Sequence, residues 1–250
     1  MTREQRLVFG EVADQYDRAR PGYPDAAFDA IVAYAGVQPG DRVLEVGAGT
    51  GKATMSMLAR GLDVHALEPS VEMGAVLRAK GADVTNALFE AWTPDRQYPL
   101  LYAAQAWHWV GADERAERAA AALRPGGAIA LMWNAPEEFT GQLGTDIHAA
   151  YFEHAPALAS IDTDQWDLDQ YGRQLDASDL FTPYERHDFP WTLAYNADEY
   201  KALMGTHSNH RILPAEQRER LHNAVWDVVR AHDDHVVVTY ITRVYLSRKR

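Results

Sequence analysis

The chain of 250 residues contains no cysteine, which removes disulfides, thiolate metal sites and cysteine nucleophiles from consideration. Positive charge is also scarce: 24 Lys and Arg stand against 36 Asp and Glu, for a formal net charge of −12 at pH 7. A chain of that sign is repelled by polyphosphates and anionic lipids, so neither nucleic acid nor a membrane is an expected partner. No apolar run approaches membrane-spanning length, and the opening residues Met1 to Gln5 are not a signal peptide, so a cytoplasmic protein is expected. Internal repeats and low-complexity tracts are missing too. What the chain has is apolar material: 47% of it is hydrophobic, enough for one sizeable α/β domain with elaborations.

The chain is organised around residues 42–54. Arg42 to Val46 is a short apolar run suited to a buried parallel strand, and Lys52 to Leu58 opens a helix. Between them lie Gly47, Gly49 and Gly51. Glycines in a strand-turn-helix unit permit positive φ and let a ligand approach the backbone, while the free N–H groups of the helix start favour a polar or anionic group. A P-loop does not fit, because Val46 stands where its first glycine belongs and Ala53 follows Gly51-Lys52. A dinucleotide fingerprint does not fit either, since the third glycine comes one residue early. Asp63 to Leu67 reads as a second strand ending at Glu68-Pro69-Ser70. Glu68 lies about 20 residues past the first glycine, where an acid can grip ribose hydroxyls.

The run from Glu45 to Gly51 resembles the first motif of class I methyltransferases that use S-adenosylmethionine. The resemblance covers Phe9 to about Asn134 closely and the last two strands loosely. Within the class it is most similar to the trans-aconitate methyltransferase branch. It implies a Rossmann-like, doubly wound α/β fold with seven mostly parallel strands, the last antiparallel inside the sheet, and a helical lid or insertion. A single domain over 1–250 is expected, with a cap over the cofactor at 1–36 and the cofactor-binding core at 37–134. Lid or substrate elements are expected at 135–183 and 194–234, and a final strand and tail at 235–250. The short basic end, Arg248 to Arg250, reads as a solvated tail.

Other stretches place further candidates. Phe9 to Pro24 is dense in aromatics, Arg and Asp. It resembles a segment that folds over the cofactor in small-molecule methyltransferases, which implicates Tyr16 and Arg20. Leu88, Phe89 and Glu90 follow a short third strand, Ala82 to Thr85, and by resemblance line the adenine. Leu100 to Gln105 is a fourth strand ending in Trp107, His108 and Trp109, beyond the carboxyl edge where open sheets bind ligands. The family often carries Asp near the start of that strand, whereas this chain has Tyr98-Pro99, which questions the local pairing. Leu123 to Gly127 turns into a fifth strand, Ala128 to Trp133. Tyr184 to Leu193 reads as a sixth strand interrupted by Pro190, and His235 to Leu246 as the last.

The resemblance thus assigns the cofactor to Tyr16, Arg20, Glu45, Gly47, Ala48 and Gly49, together with Gly51, Glu68, Pro69, Phe89, Glu90, Gln105 and Trp107. The catalytic candidates are His108, Trp107, Trp109 and Tyr16. Aromatic faces tolerate a sulfonium, and His108 is an orienting hydrogen bonder or, for an acceptor that must lose a proton, a base. His207 and His210 have metal-like spacing without an evident third ligand, so no metal is expected. The expected activity is methyl transfer to a small-molecule acceptor, with a carboxylic acid among the candidates. An NAD-dependent oxidoreductase and a non-catalytic cofactor-binding protein are the alternatives.

Overall fold

The computed structural model describes residues 13–159 and 167–250. The expected features at Phe9 to Val12 and at Asp162 to Trp166 lie outside those residues. The first strand, β1 (Arg42–Val46), is apolar and four of its five residues are buried. With β2 (Asp63–Leu67), β3 (Asp83–Thr85), β4 (Tyr98–Ala104) and β5 (Leu123–Pro136) it forms the parallel part of the sheet. Strands β6 (Glu185–Tyr195) and β7 (Val236–Arg248) complete the order β3-β2-β1-β4-β5-β7-β6. Strand β7 is antiparallel to β5: Lys249 N donates to Gly127 O at one end, and Glu137 N to Thr239 O at the other. The chain winds outward from β1 to β3 and then returns to the far side of β1, so the topological switch falls between β1 and β4. In open α/β sheets that is where ligands bind.

Local signals set most boundaries. The helix Asp25–Ala35 buries Phe28 and Ile31 and ends at Gly36 in the left-handed conformation. Each such side chain contributes about 1.5–3 kcal/mol on burial. Ser70 caps the helix Val71–Ala79 by accepting from Met73 N. Asn196 and Glu199 form a reciprocal capping box on Ala197–Met204.

Three expectations change. Pro190 does not interrupt β6, which is a continuous strand at the sheet edge, the position where sheets tolerate proline. Strand β4 starts at Tyr98, two residues early, and takes up the mismatch as a register shift between Tyr98 and Leu100. The basic end is not merely solvated. Lys249 Nζ donates to Ala120 O and Leu123 O at the end of the helix Arg115–Ala122, and Arg248 to the carbonyls of Tyr34 and Gly126. Cations there satisfy carbonyls that the helix leaves unpaired.

The contacts divide the chain into two compact units. One comprises 21–135, 168–189 and 242–250, and carries the parallel strands and the glycine loop. The other comprises 1–20, 136–167 and 190–241. Its apolar core centres on Leu203, Leu221, Val225 and Val229 from the helices Ala197–Met204 and Ala215–Ala231. No helix among the described residues is long and apolar enough to cross a membrane.

Candidate functional site

The turn after β1 is tied to the end of β2. Gly47 N and Ala48 N both donate to Leu67 O, at 2.8 and 3.0 Å, and Gly49 N donates to Glu68 Oε2 at 2.7 Å. All three glycines have positive φ, at 70°, 58° and 94°, but they are glycine for different reasons. A Cβ on Gly47 would lie 2.5 Å from the Ala106 Cβ, and one on Gly51 2.3 Å from Leu77 Cδ1. A Cβ on Gly49 would meet only Met73 Sδ, at 4.0 Å. Gly47 and Gly51 therefore serve the protein's own packing, and Gly49 is the one left bare. Beyond it the helix Lys52–Ala59 starts at Gly51 with no side-chain cap, so its first N–H groups are not taken by a capping residue.

Glu68 is 5% exposed. Its second oxygen accepts from Ser70 N at 2.8 Å, so both oxygens are aligned by backbone amides. Burial raises its carboxyl and the amide bonds to Ser70 and Gly49 oppose that rise. Each oxygen keeps lone-pair capacity for a further donor such as a sugar hydroxyl. Asn86, not among the residues expected at the site, fixes this corner: its Nδ2 donates to Glu68 O and Ser70 O, at 2.9 and 3.1 Å. Gly74 is a glycine to admit that amide, since a Cβ there would approach Asn86 Nδ2 to 2.6 Å. Pro69 sits between the two anchored residues.

Glu45 differs from expectation. It is 1% exposed, and its Oε2 accepts from Thr54 Oγ1 at 2.5 Å and from Tyr102 OH at 2.9 Å. The acid on β1 thus braces the helix after the loop and the neighbouring strand instead of facing outward. Burial pushes its carboxyl up to about 8, against the two hydroxyls that stabilise the ionised form.

At the end of β4, Gln105 holds φ 55°, a left-handed conformation that costs a non-glycine residue roughly 1 kcal/mol. Its side chain donates to Asn134 O at 3.0 Å, which pays part of that strain. Ala106 then packs on Gly47, and residues Trp107–Trp109 form a single 3-10 turn. Trp107 is a core residue, 2% exposed, set against Phe89 at 5.8 Å with Arg115 on its other side. Trp107, expected beside the cofactor or substrate, and the buried Phe89 belong to one core cluster. Glu90 spends one oxygen on Gly111 N, at 2.7 Å. His108 and Trp109 are only partly buried, with rings 4.8 Å apart.

The orientation of His108 is set by a residue read only as a strand end. Trp133 Nε1 donates to His108 Nδ1 at 3.1 Å, and Trp133 is itself stacked on Tyr171 at 4.8 Å. An indole can only donate, so Nδ1 is the unprotonated nitrogen and the neutral ring carries its proton on Nε2. Burial lowers the imidazole to about 4. His108 is therefore a fixed N–H donor at neutral pH and a poor base.

Tyr16 and Arg20 belong to the other unit. The Arg20 guanidinium donates to Thr206 O at 3.0 Å and lies 5.3 Å from the Tyr16 ring centre. It has no ion pair with a described carboxylate, and its Nε is buried without a partner. His207 and His210 do come together, with His222. The His210 nitrogens face His222 Nε2 at 3.0 Å and Tyr151 OH at 3.1 Å, so both are committed to the protein. No group of three or more His, Asp or Glu side chains among the described residues is arranged to hold a metal ion. An open cleft of about 400 Å³ in this unit is lined by Gln15, Arg18, Tyr195 and Glu199.

The strand order and the bare glycine turn define a methyltransferase-like Rossmann architecture. A family model described as a methyltransferase domain matches residues 43–127. An uncharacterised methyltransferase of Mycobacterium tuberculosis is 32% identical over 237 residues, spanning 92% of this chain and 88% of that protein. Among solved structures, a Haemonchus contortus phosphoethanolamine N-methyltransferase in complex with phosphomonomethylethanolamine and S-adenosylhomocysteine has TM-score 0.56 at 14% identity, over 96% of this chain and 57% of that one. The [4+2]-cyclase SpnF has TM-score 0.57 at 15% identity, over 97% and 94%. The chain belongs to the class I S-adenosylmethionine-dependent methyltransferases.

Proposed function

We propose that the protein transfers a methyl group from S-adenosylmethionine to a small-molecule acceptor by in-line displacement. The single observation that carries this reading is the juxtaposition of bare Gly49 with the amide-aligned Glu68 carboxylate at the sheet's switch point. The residues fit the cofactor: Glu68 accepts from sugar hydroxyls, and the backbone at Ala48 and Gly49 permits close approach. In the other unit Arg20, a guanidinium without an acidic partner among the described residues, suits an anionic group. Bound S-adenosylmethionine supplies an already electrophilic methyl carbon.

The protein's own part is then alignment and exclusion of water. His108 presents its Nε2–H to orient the acceptor, and Trp109 shields the reacting groups beside it. A carboxylic acid is the acceptor class that best suits a site whose histidine donates, because a carboxylate needs no base. The open cleft of the second unit is of small-molecule size.

The test is calorimetric titration with S-adenosylmethionine, S-adenosylhomocysteine and NAD, followed by a screen of carboxylic acids, phenols and amines with labelled cofactor. Binding of the first two in the micromolar range and label transfer to an acid are expected. Binding of NAD alone would overturn the cofactor assignment. Replacing His108 with Gln, which keeps a donor, should preserve cofactor affinity and most turnover. A collapse of turnover with a lost acidic limb in the pH profile would reinstate the base.

A further inference from the structure

Two acids lie buried beside the glycine loop, and no cation among the described residues is hydrogen-bonded to either. Glu45 and Glu68 are 1% and 5% exposed, and every partner of their carboxylates is neutral. The partners differ in kind. Glu68 receives a backbone amide on each oxygen, and an amide N–H can only donate, so these bonds favour its ionised form. Glu45 receives hydroxyls, from Thr54 on the following helix and Tyr102 on β4. A hydroxyl can donate or accept, so it tolerates either state of the acid. Hydrogen-bond chemistry thus makes Glu45, whose two hydroxyl partners both meet Oε2, the member of the pair better suited to hold a proton. The histidine on the adjoining strand, His65, is engaged elsewhere, by Tyr98 OH and Thr85 Oγ1.

We propose that Glu45 is a charge-sensing residue: it holds a proton in the ligand-free protein and releases it when the cationic S-adenosylmethionine binds, so the loop distinguishes the methyl donor from its neutral-sulfur product. This rests on the reading that the loop holds the cofactor. Donor and product share the adenosine, ammonium and carboxylate and differ by one methyl and one positive charge. A buried carboxyl pair is sensitive to that difference, because charges interact more strongly away from water. Burial already pushes the Glu45 carboxyl up to about 8, with Glu68 adding to the rise, so it is protonated at neutral pH until a cation arrives. The donor then binds with proton release to solvent. After methyl transfer the cation is gone, and Glu45 takes a proton back from solvent. Product binding gains nothing from the ionised acid, which favours exchange of product for donor.

Calorimetry of S-adenosylmethionine and S-adenosylhomocysteine, between pH 6.0 and 7.5 in buffers of different ionisation enthalpy, reads this directly. Donor affinity is expected to rise on the order of tenfold across that interval with a proton released, and product affinity by less than about twofold. Glu45→Gln should abolish the donor's proton release and narrow the affinity gap between the two ligands. Tyr102→Phe removes a hydroxyl that favours the ionised acid, so the donor's rise should move to higher pH. Equal proton release by both ligands, persistence of release in Glu45→Gln, or an unmoved profile in Tyr102→Phe would each overturn the proposal. Failure of both ligands to bind the parent protein would instead overturn the cofactor reading, and this inference with it.

Discussion

The two units bury opposite chemistry. The unit with the glycine loop hides two carboxylates, Glu45 and Glu68, beside hydroxyls and amides only. The other unit hides imidazoles, His207, His210 and His222, around a guanidinium, Arg20, that has no acidic partner among the described residues. Burial disfavours the charged forms of Glu45 and of the imidazoles, and neither interior pairs its acids or its guanidinium with an opposite charge among the described residues. Unpaired buried charge is costly, so chains keep it where a ligand brings the missing sign. The first unit suits a cation and the second an anionic group.

The largest effect that would break this comparison is at Gly49. Gly49→Leu should lower affinity for S-adenosylmethionine at least about a hundredfold, while the ligand-free melting temperature moves little, since open space surrounds the new side chain and the left-handed φ costs only roughly 1–2 kcal/mol. Gly47→Ala should do the reverse and cost stability directly, about 2–4 kcal/mol, because its Cβ meets Ala106. Adding Ala106→Gly should restore part of that loss, and calorimetric melting of the single and double variants measures it. If Gly47→Ala were silent in melting, the division of labour among the glycines would be wrong.

The contrast sharpens with pH. Burial lowers His210 to about 3 and His222 to about 4, with nearby positive charges helping in each case. The unfolded chain then binds more protons below pH 6.5, so stability falls as acid is added. Glu45 is raised from 4.5 to about 8, so there the folded state binds more protons, and stability falls as pH climbs from about 5 towards 8. Melting of the ligand-free protein should therefore peak between these limbs. Glu45→Gln should flatten the alkaline limb, by up to roughly 1.4 kcal/mol per pH unit, and His222→Gln should soften the acid one. Persistence of the alkaline limb in Glu45→Gln would remove that acid from the account.

The smallest effects should be alike in both units, because they are local. Ser70→Ala and Asn196→Ala each remove a helix cap, at a cost of about 1 kcal/mol, and should lower the melting temperature by roughly 2–4 °C.

Much of the fold was legible because its signals are short-range. The apolar run Arg42–Val46, the αL glycine at Gly36 and the capping residues Ser70 and Asn196 act within a few positions of themselves, so spacing alone locates them. The glycine loop and Glu68 could be read for the same reason. Trp107 could not: a large ring at a strand end reads as ligand-facing until Phe89 and Arg115, distant in sequence, close over it. Asn86 left no signal because an amide announces its partners only once β2 and β3 lie side by side.

The class of fold, the position of the nucleotide-binding turn and the acid at the end of β2 can be read from residue order, since periodicity and turn chemistry are properties of neighbours along the chain. Which glycine is bare, that Glu45 faces Thr54 and Tyr102, and that His108 is a donor fixed by Trp133 emerge on folding. Those are facts about which groups meet across the sheet, and burial, hydrogen-bond direction and protonation all depend on that meeting.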